Sequence, residues 1–234
     1  MRFKRLISVF IAVFMLLTFA GCKKTDKNNT SDIISSGDST VLSDTINLLC
    51  CYSDTLNPYT AASEINRNLT KLMFDSLIKL DNNFEPINCL AESVSADGVT
   101  FTVKLKSSRF SDGSTVTADD VVYSYNLARA SATVYASQLY EVASISASDA
   151  LTVNFTLTRQ DPYFERLLDF PILKSGSDKR TDIDDVVLPP IGSGRYVPNE
   201  ECTELIRNDN YMGKKGTIKN IKLILTMLPS AISV

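Results

Sequence analysis

Two stretches of strict alternation limit what this chain can fold into more than any other feature. In VTFTVKLK, Val99, Phe101, Val103 and Leu105 alternate with more polar residues, and Leu151, Val153, Phe155 and Leu157 do the same around Thr152, Asn154 and Thr156. Side chains two apart on a strand share a face, so each stretch predicts a strand buried on one side, of the kind found in antiparallel sheets. Asp97-Gly98 supplies a turn ahead of the first. Helical spacing occurs elsewhere. Ile65, Leu69, Leu72, Met73, Leu77 and Leu80 fall on one helical face and predict a single helix over 63–80, with Ser63 as its N-cap. Asp161-Pro162 predicts the start of another, carrying Phe164, Leu167 and Leu168. Thr45 to Tyr52 predicts a short apolar strand, and IKNIKLILTMLP a buried one. Turns are expected at Asp81-Asn82-Asn83 and Ser111-Asp112-Gly113, and breaks at Pro189-Pro190 and Gly192-Ser193-Gly194. Strands and helices mix without regular alternation or internal repeat, which predicts an α+β or mixed α/β fold.

The N-terminus bears on compartment. MRFKR is basic, and Leu6 to Ala20 carries no charge, the pattern of a secretory leader and too short for the ~20 apolar residues of a bilayer span. Phe19-Ala20-Gly21-Cys22 fits two outcomes: lipidation at Cys22, or ordinary secretion with cleavage near Ala20. The polar tail KKTDKNNTSDIISSGDST favours the first, because it cannot bury enough apolar surface to fold and suits a tether. Removing residues 1–21 takes away Arg2, Lys4 and Arg5 and no acid, leaving a charge of -6. A mildly acidic body without a basic stripe argues against nucleic acid as a partner.

There is no histidine in the chain. That excludes Ser-His-Asp and Cys-His nucleophiles, histidine-ligated zinc and imidazole bases. Neither a phosphate-cradling GxxxxGK[ST] nor a GxGxxG occurs, so no cofactor is expected. Cys50, Cys51, Cys89 and Cys202 read as small buried hydrophobes or as disulfide partners; neighbours on a strand point oppositely, so one of Cys50 and Cys51 is expected inside and the other out. No CxxC supports a metal cluster.

Asp119 and Asp120 invite a catalytic reading, since paired carboxylates run glycoside hydrolysis. Adjacent residues in a helical first turn splay around the axis, however. Thr117 followed three residues later by Asp120, ahead of Val121, Val122 and Tyr125, predicts a capped helix start, and no catalytic residue is expected. Asp184-Asp185 reads as a solvated acidic loop, and no calcium-loop spacing accompanies it.

The whole phrase FSDGSTVTADDVVYSYNLARA resembles the signature of family 5 extracellular solute-binding proteins, the peptide- and nickel-type receptors of ABC importers. LNPY at Leu56, LMFDSLIKLD at Leu72, LAES at Leu90, DPYFERLL, GSGRY at Gly192 and IRNDNYMGK at Ile206 agree in order. The resemblance implies a type II periplasmic-binding-protein-like fold that is incomplete here: part of the first lobe plus the inserted subdomain. The implied organisation is a lipoprotein signal peptide over 1–21, a tether over 22–44, first-lobe segments over 45–71 and 171–234, and an inserted α+β subdomain over 72–170. It implies a membrane-anchored, extracytoplasmic receptor, partnered by permease subunits and taking a peptide or another small solute. Ala62, Ser63, Glu64 and Tyr135 match ligand-lining positions of its peptide-binding members. Glu64 also suits a helix first turn, and Tyr135 an ordinary core position. The aspartate that pairs with a peptide amino terminus in the family is expected from the other lobe. Ligand class stays open among oligopeptide, dipeptide, nickel complex and sugar, as does a truncated receptor that no longer transports.

Overall fold

The structure is a computed structural model that describes residues 44–227. The leader, the lipidation position Cys22 and nearly all of the tether lie outside the described residues. The strands are β1 (Thr45–Cys51), β2 (Ile78–Leu80), β3 (Pro86–Asn88), β4 (Ala91–Asp97), β5 (Thr100–Leu105), β6 (Val142–Asp149), β7 (Thr152–Leu157), β8 (Tyr196–Pro198), β9 (Glu204–Arg207) and β10 (Asn220–Thr226). The helices are α1 (Glu64–Met73), α2 (Ala118–Ala130) and α3 (Val134–Gln138).

The two alternating stretches become the central strands of an antiparallel sheet of order β4-β5-β7-β6. Phe101 pairs with Phe155 and Val103 with Val153, so the apolar halves of both strands share one face. Those four side chains are buried, and Phe164 sits edge-on to Phe101 with ring centroids 5.0 Å apart. Tyr125 of α2 and Phe170 close over the same layer. Burying side chains of this size stabilises by about 1.5–3 kcal/mol each, so this layer anchors the fold. Gly98, at φ +62°, makes the turn from β4 to β5 in a backbone region that only glycine enters freely.

The second sheet, β1-β10-β9-β8, is mixed. β1 lies parallel to β10 at one margin, and Asp44 meets Lys219 at 2.9 Å across that pair. Its inner face puts Cys50, Leu205, Ile221 and Leu223 into one core with Leu69 and Met73 of α1. On the outer face Leu49, Ile206 and Ile224 are exposed. A buried last strand was expected; β10 is covered on one side only.

Three further expectations are corrected. The helix predicted over 63–80 ends at Met73, because Phe74 turns extended. The apolar run continues as a strand: Ser76 bridges Pro171, and the Ile78 amide donates to the Leu168 carbonyl, so tertiary pairing takes over from helical periodicity. Asp161 does accept from the Tyr163 amide at 2.8 Å, but only a 3-10 turn follows, over Phe164–Leu167. Cys50 and Cys51 are both buried. Cys51 ends its strand against α1, where buried Asn66 takes the Cys51 amide on Oδ1 at 2.8 Å and gives Nδ2 to the Cys51 carbonyl at 2.9 Å. That closure hides the face a mid-strand neighbour would expose. Cys89 and Cys202 are only half-buried, and all four thiols are free.

The paired aspartates part company in the structure. The Thr117 amide and hydroxyl both donate to Asp120 Oδ2, at 2.9 and 2.8 Å, while Oδ1 of the same carboxylate accepts from the Ser175 amide at 2.8 Å. Asp120 is buried and Asp119 exposed. One caps a helix and ties it to a distant segment; the other faces water. In the acidic loop, Asp182 turns its carboxylate inward to the amides of Asp184 and Val186, both at 2.9 Å. Among the described residues no three cysteines or acids gather to hold a metal.

Candidate functional site

An open cleft of about 1030 Å³ lies where the α1 N-terminus, the α2–α3 connection and the strand-free segment around Asp169 meet. Local chemistry builds each wall. Asn57 accepts from the Tyr59 amide at 3.0 Å, making a tight turn within LNPY. Asp54 then grips the chain just before α1, accepting from the amides of Ala62 at 3.1 Å and Ser63 at 2.7 Å. Ser63 Oγ accepts from the Asn66 amide at 3.1 Å and caps the helix. On the opposite wall, Ser131 bonds back to the Ala128 carbonyl as α2 ends, and Arg129 donates to the Ala136 carbonyl at 2.8 Å, fixing α3 beside it. The Tyr59 hydroxyl donates to the Pro171 carbonyl, joining the first wall to the segment beside Asp169.

Ala62, Glu64 and Tyr135 all line this cleft. Residues 73 positions apart in the chain, Ala62 and Tyr135, thus come to one concavity. Ser63 does not line it; its side chain is buried and spent on the cap. Glu64 is the first residue of α1, exposed, where its charge also complements the helix dipole. Tyr135 is half-buried and packs edge-on against Tyr59 at 6.0 Å between centroids. Burial, with the nearby Asp169 charge adding to it, pushes the Tyr135 phenol up to about 12, so it stays a neutral hydroxyl at physiological pH.

Sequence reasoning missed four groups here. Arg67 donates to the Ala62 carbonyl and braces the loop. Lys71 donates to Asn68 Oδ1 at 3.0 Å from the same helix. Gln138 and Asp169 line the floor, and Gln138 Oε1 and Asp169 Oδ1 are shielded from solvent without a hydrogen-bond donor among the described residues. Burial raises the Asp169 carboxyl above its ordinary value; its own backbone amide and the Lys71 charge offset this in part. The spacing of Arg67 and Lys71 on α1 was visible in principle; nothing in the sequence marks the other two.

A cleft of this size, walled by main-chain turns and neutral tyrosine, is suited to holding a solute. Comparison with known proteins agrees. The profile of the bacterial extracellular solute-binding proteins, family 5 Middle, matches residues 85–231. The glutathione-binding protein GsiB of Shigella flexneri is 32% identical over 151 residues, which is 61% of this chain and 29% of that protein. The chain therefore spans about 29% of the length of this curated relative. Among solved structures, AgaA of A. tumefaciens R10 in complex with agropinic acid superposes with a TM-score of 0.67 at 19% identity, over 78% of this chain and 40% of that one. The oligopeptide-binding protein AppA of Bacillus subtilis, in complex with a nonapeptide, gives 0.63 at 22% identity, over 78% and 40%. These likenesses show a mixed α/β fold similar to part of the type II periplasmic binding proteins.

Proposed function

Because this chain belongs to family 5 of the bacterial extracellular solute-binding proteins, we propose that it captures peptides outside the cytoplasmic membrane for an ABC importer and performs no covalent chemistry. Residues 45–71 and 171–234 are read as first-lobe segments and 72–170 as the inserted subdomain. Cys22 is read as the lipidated residue that holds the protein at the membrane, and permease subunits as its partners. The observation that carries the reading is the meeting of Ala62, Glu64 and Tyr135 on one open cleft of about 1030 Å³. Extended peptides are held largely through main-chain hydrogen bonds, which lets one receptor accept many side chains. Closure over the solute would be biased by contacts made only in the closed state. The test is calorimetric titration of the full chain with peptide libraries of two to nine residues. Saturable heats that Tyr135→Ala weakens support capture; flat traces at every length sink it. Metabolic labelling with a fatty-acid analogue, lost in Cys22→Ala, tests the anchor.

A second reading has its own observation. The exposed row Leu49, Ile206 and Ile224 suits a surface that meets another protein. It favours a protein whose role is to meet a partner at the surface.

A further inference from the structure

The β2–β3 hairpin breaks the rule that its own turn sets. The Phe84 amide donates to the Asp81 carbonyl at 3.1 Å, and the Asp81 amide to the Glu85 carbonyl at 3.0 Å. Asp81 Oδ1 accepts from the amides of Asn83 and Glu85, at 2.7 and 2.9 Å. A loop of this kind ends on a left-handed residue, a place that glycine takes without steric cost and asparagine tolerates. Here the residue is Phe84, at φ +62°, and it is 72% exposed. A bulky side chain is strained in that region, and this one gains little burial in return. Just before the 3-10 turn, Tyr163 is 64% exposed. Arg166 fastens the two places together. Its Nε donates to the Phe84 carbonyl at 3.1 Å, its Nη2 meets Glu85 Oε2 at 2.7 Å, and its guanidinium lies 5.0 Å from the Tyr163 ring centroid.

We propose that Phe84 and Tyr163, held by Arg166, form a docking knob for another protein whose surface carries an apolar socket rimmed by lysine or arginine. Strain that the fold does not use is retained where a function uses it. Exposed rings beside an arginine have the composition of interface hot spots. A knob already fixed by that guanidinium loses little freedom on binding. Charge selects the partner. Asp81 and Glu85 flank Phe84, Asp161 and Glu165 flank Tyr163, and Arg166, already paired with Glu85, is the one cation in segments 81–85 and 161–166. A basic surface is attracted to such a rim. An anionic bilayer is repelled by it, as is a second copy bringing the same carboxylates. No residue of the knob lines the cleft, so the proposal is independent of solute capture.

The experiment pans a random dodecapeptide display library on the full chain, with Phe84→Asn as the subtracting variant. Asparagine suits the left-handed position, so Phe84→Asn should melt at or above the wild-type temperature. A lower melting point would make the ring a structural part and overturn the proposal. The enriched peptides should combine aliphatic or aromatic residues with lysine or arginine. Resynthesised, they should bind wild type about tenfold or more tightly than Phe84→Asn or Tyr163→Ser, and weaken as salt is raised. A library without binders that depend on Phe84, or with binders lacking basic residues, overturns the knob. Co-sedimentation of wild type, but not Phe84→Asn, with phosphatidylglycerol vesicles would assign the rings to a lipid surface and overturn it as well. So would a dimer in sedimentation equilibrium that Phe84→Asn dissolves, which would assign them to a second copy.

Discussion

The two four-stranded sheets are built from similar residues and reach opposite conditions. β4-β5-β7-β6 draws its strands from a continuous stretch of chain, pairs them antiparallel, and covers its apolar face with α2 and a cluster of rings. β1-β10-β9-β8 joins strands whose partners, such as Thr45 and Asn220, lie at the two ends of the described chain. It leaves Leu49, Ile206 and Ile224 in water. Both inner faces feed one core; the difference lies in the outer face, which in the second sheet carries exposed apolar side chains. The cleft is walled by connections between regular elements, and so depends on the rigidity of the first and the placement of the second.

The largest expected effect breaks the comparison most directly. Phe155→Ala should cost about 3–5 kcal/mol, whereas Leu49→Ala on the second sheet should stay within about 0.5 kcal/mol in urea unfolding. Equal losses would show that the outer face is not a free surface. Next comes the joint between the regions. A Cβ on Gly192 would lie 2.2 Å from the Met73 carbonyl oxygen, so Gly192→Ala should destabilise by about 1–3 kcal/mol of overpacking. A melting point unchanged by that substitution would mean the joint is looser than drawn. Smaller again is the cap. Asp120→Ala should lose about 1–2 kcal/mol and Asp119→Ala about 0.5 kcal/mol or less, a contrast that a shared catalytic role would not produce.

The smallest effects are in pH and have opposite signs. Asp112, though burial works against it, is lowered from 3.8 to about 2 by hydrogen bonds from Lys174 and Ser114. Its folded value lies below its unfolded one, so its stabilisation is present above 3.8 and lost as pH falls toward about 2. Lys174→Met should flatten that window. Asp169 is raised, chiefly by burial, so its cost appears as pH rises above 3.8. Asp169→Asn should therefore melt higher than wild type at pH 7 and match it below 3.8; the reverse order would show a donor on that carboxylate.

The first sheet was legible in the sequence because burial on one face imposes a period of two on VTFTVKLK and LTVNFTL. The capped start at Thr117 was legible because capping is local chemistry. The end of α1 was not. Leu77 continues the helical spacing past Met73, and only the distant partners Pro171 and Leu168 draw that stretch into a strand. The pairing of Cys50 and Cys51 inside was hidden for a similar reason, since it depends on an asparagine fifteen residues on. Ala62, Glu64 and Tyr135 were reached through a resemblance rather than through a pattern. Asp169 and Gln138 were out of reach altogether, because an acceptor's lack of a donor is a property of its surroundings.

The clamp between Asn66 and Cys51 has one more consequence. β1 runs along the rim of its sheet as TINLLCC, with neither lysine nor proline to discourage company. Asn66 occupies both main-chain groups of the final residue only. Among the described residues the outward amides and carbonyls from Ile46 to Cys50 remain a template, so crowding should drive copies of this body to knit edge to edge.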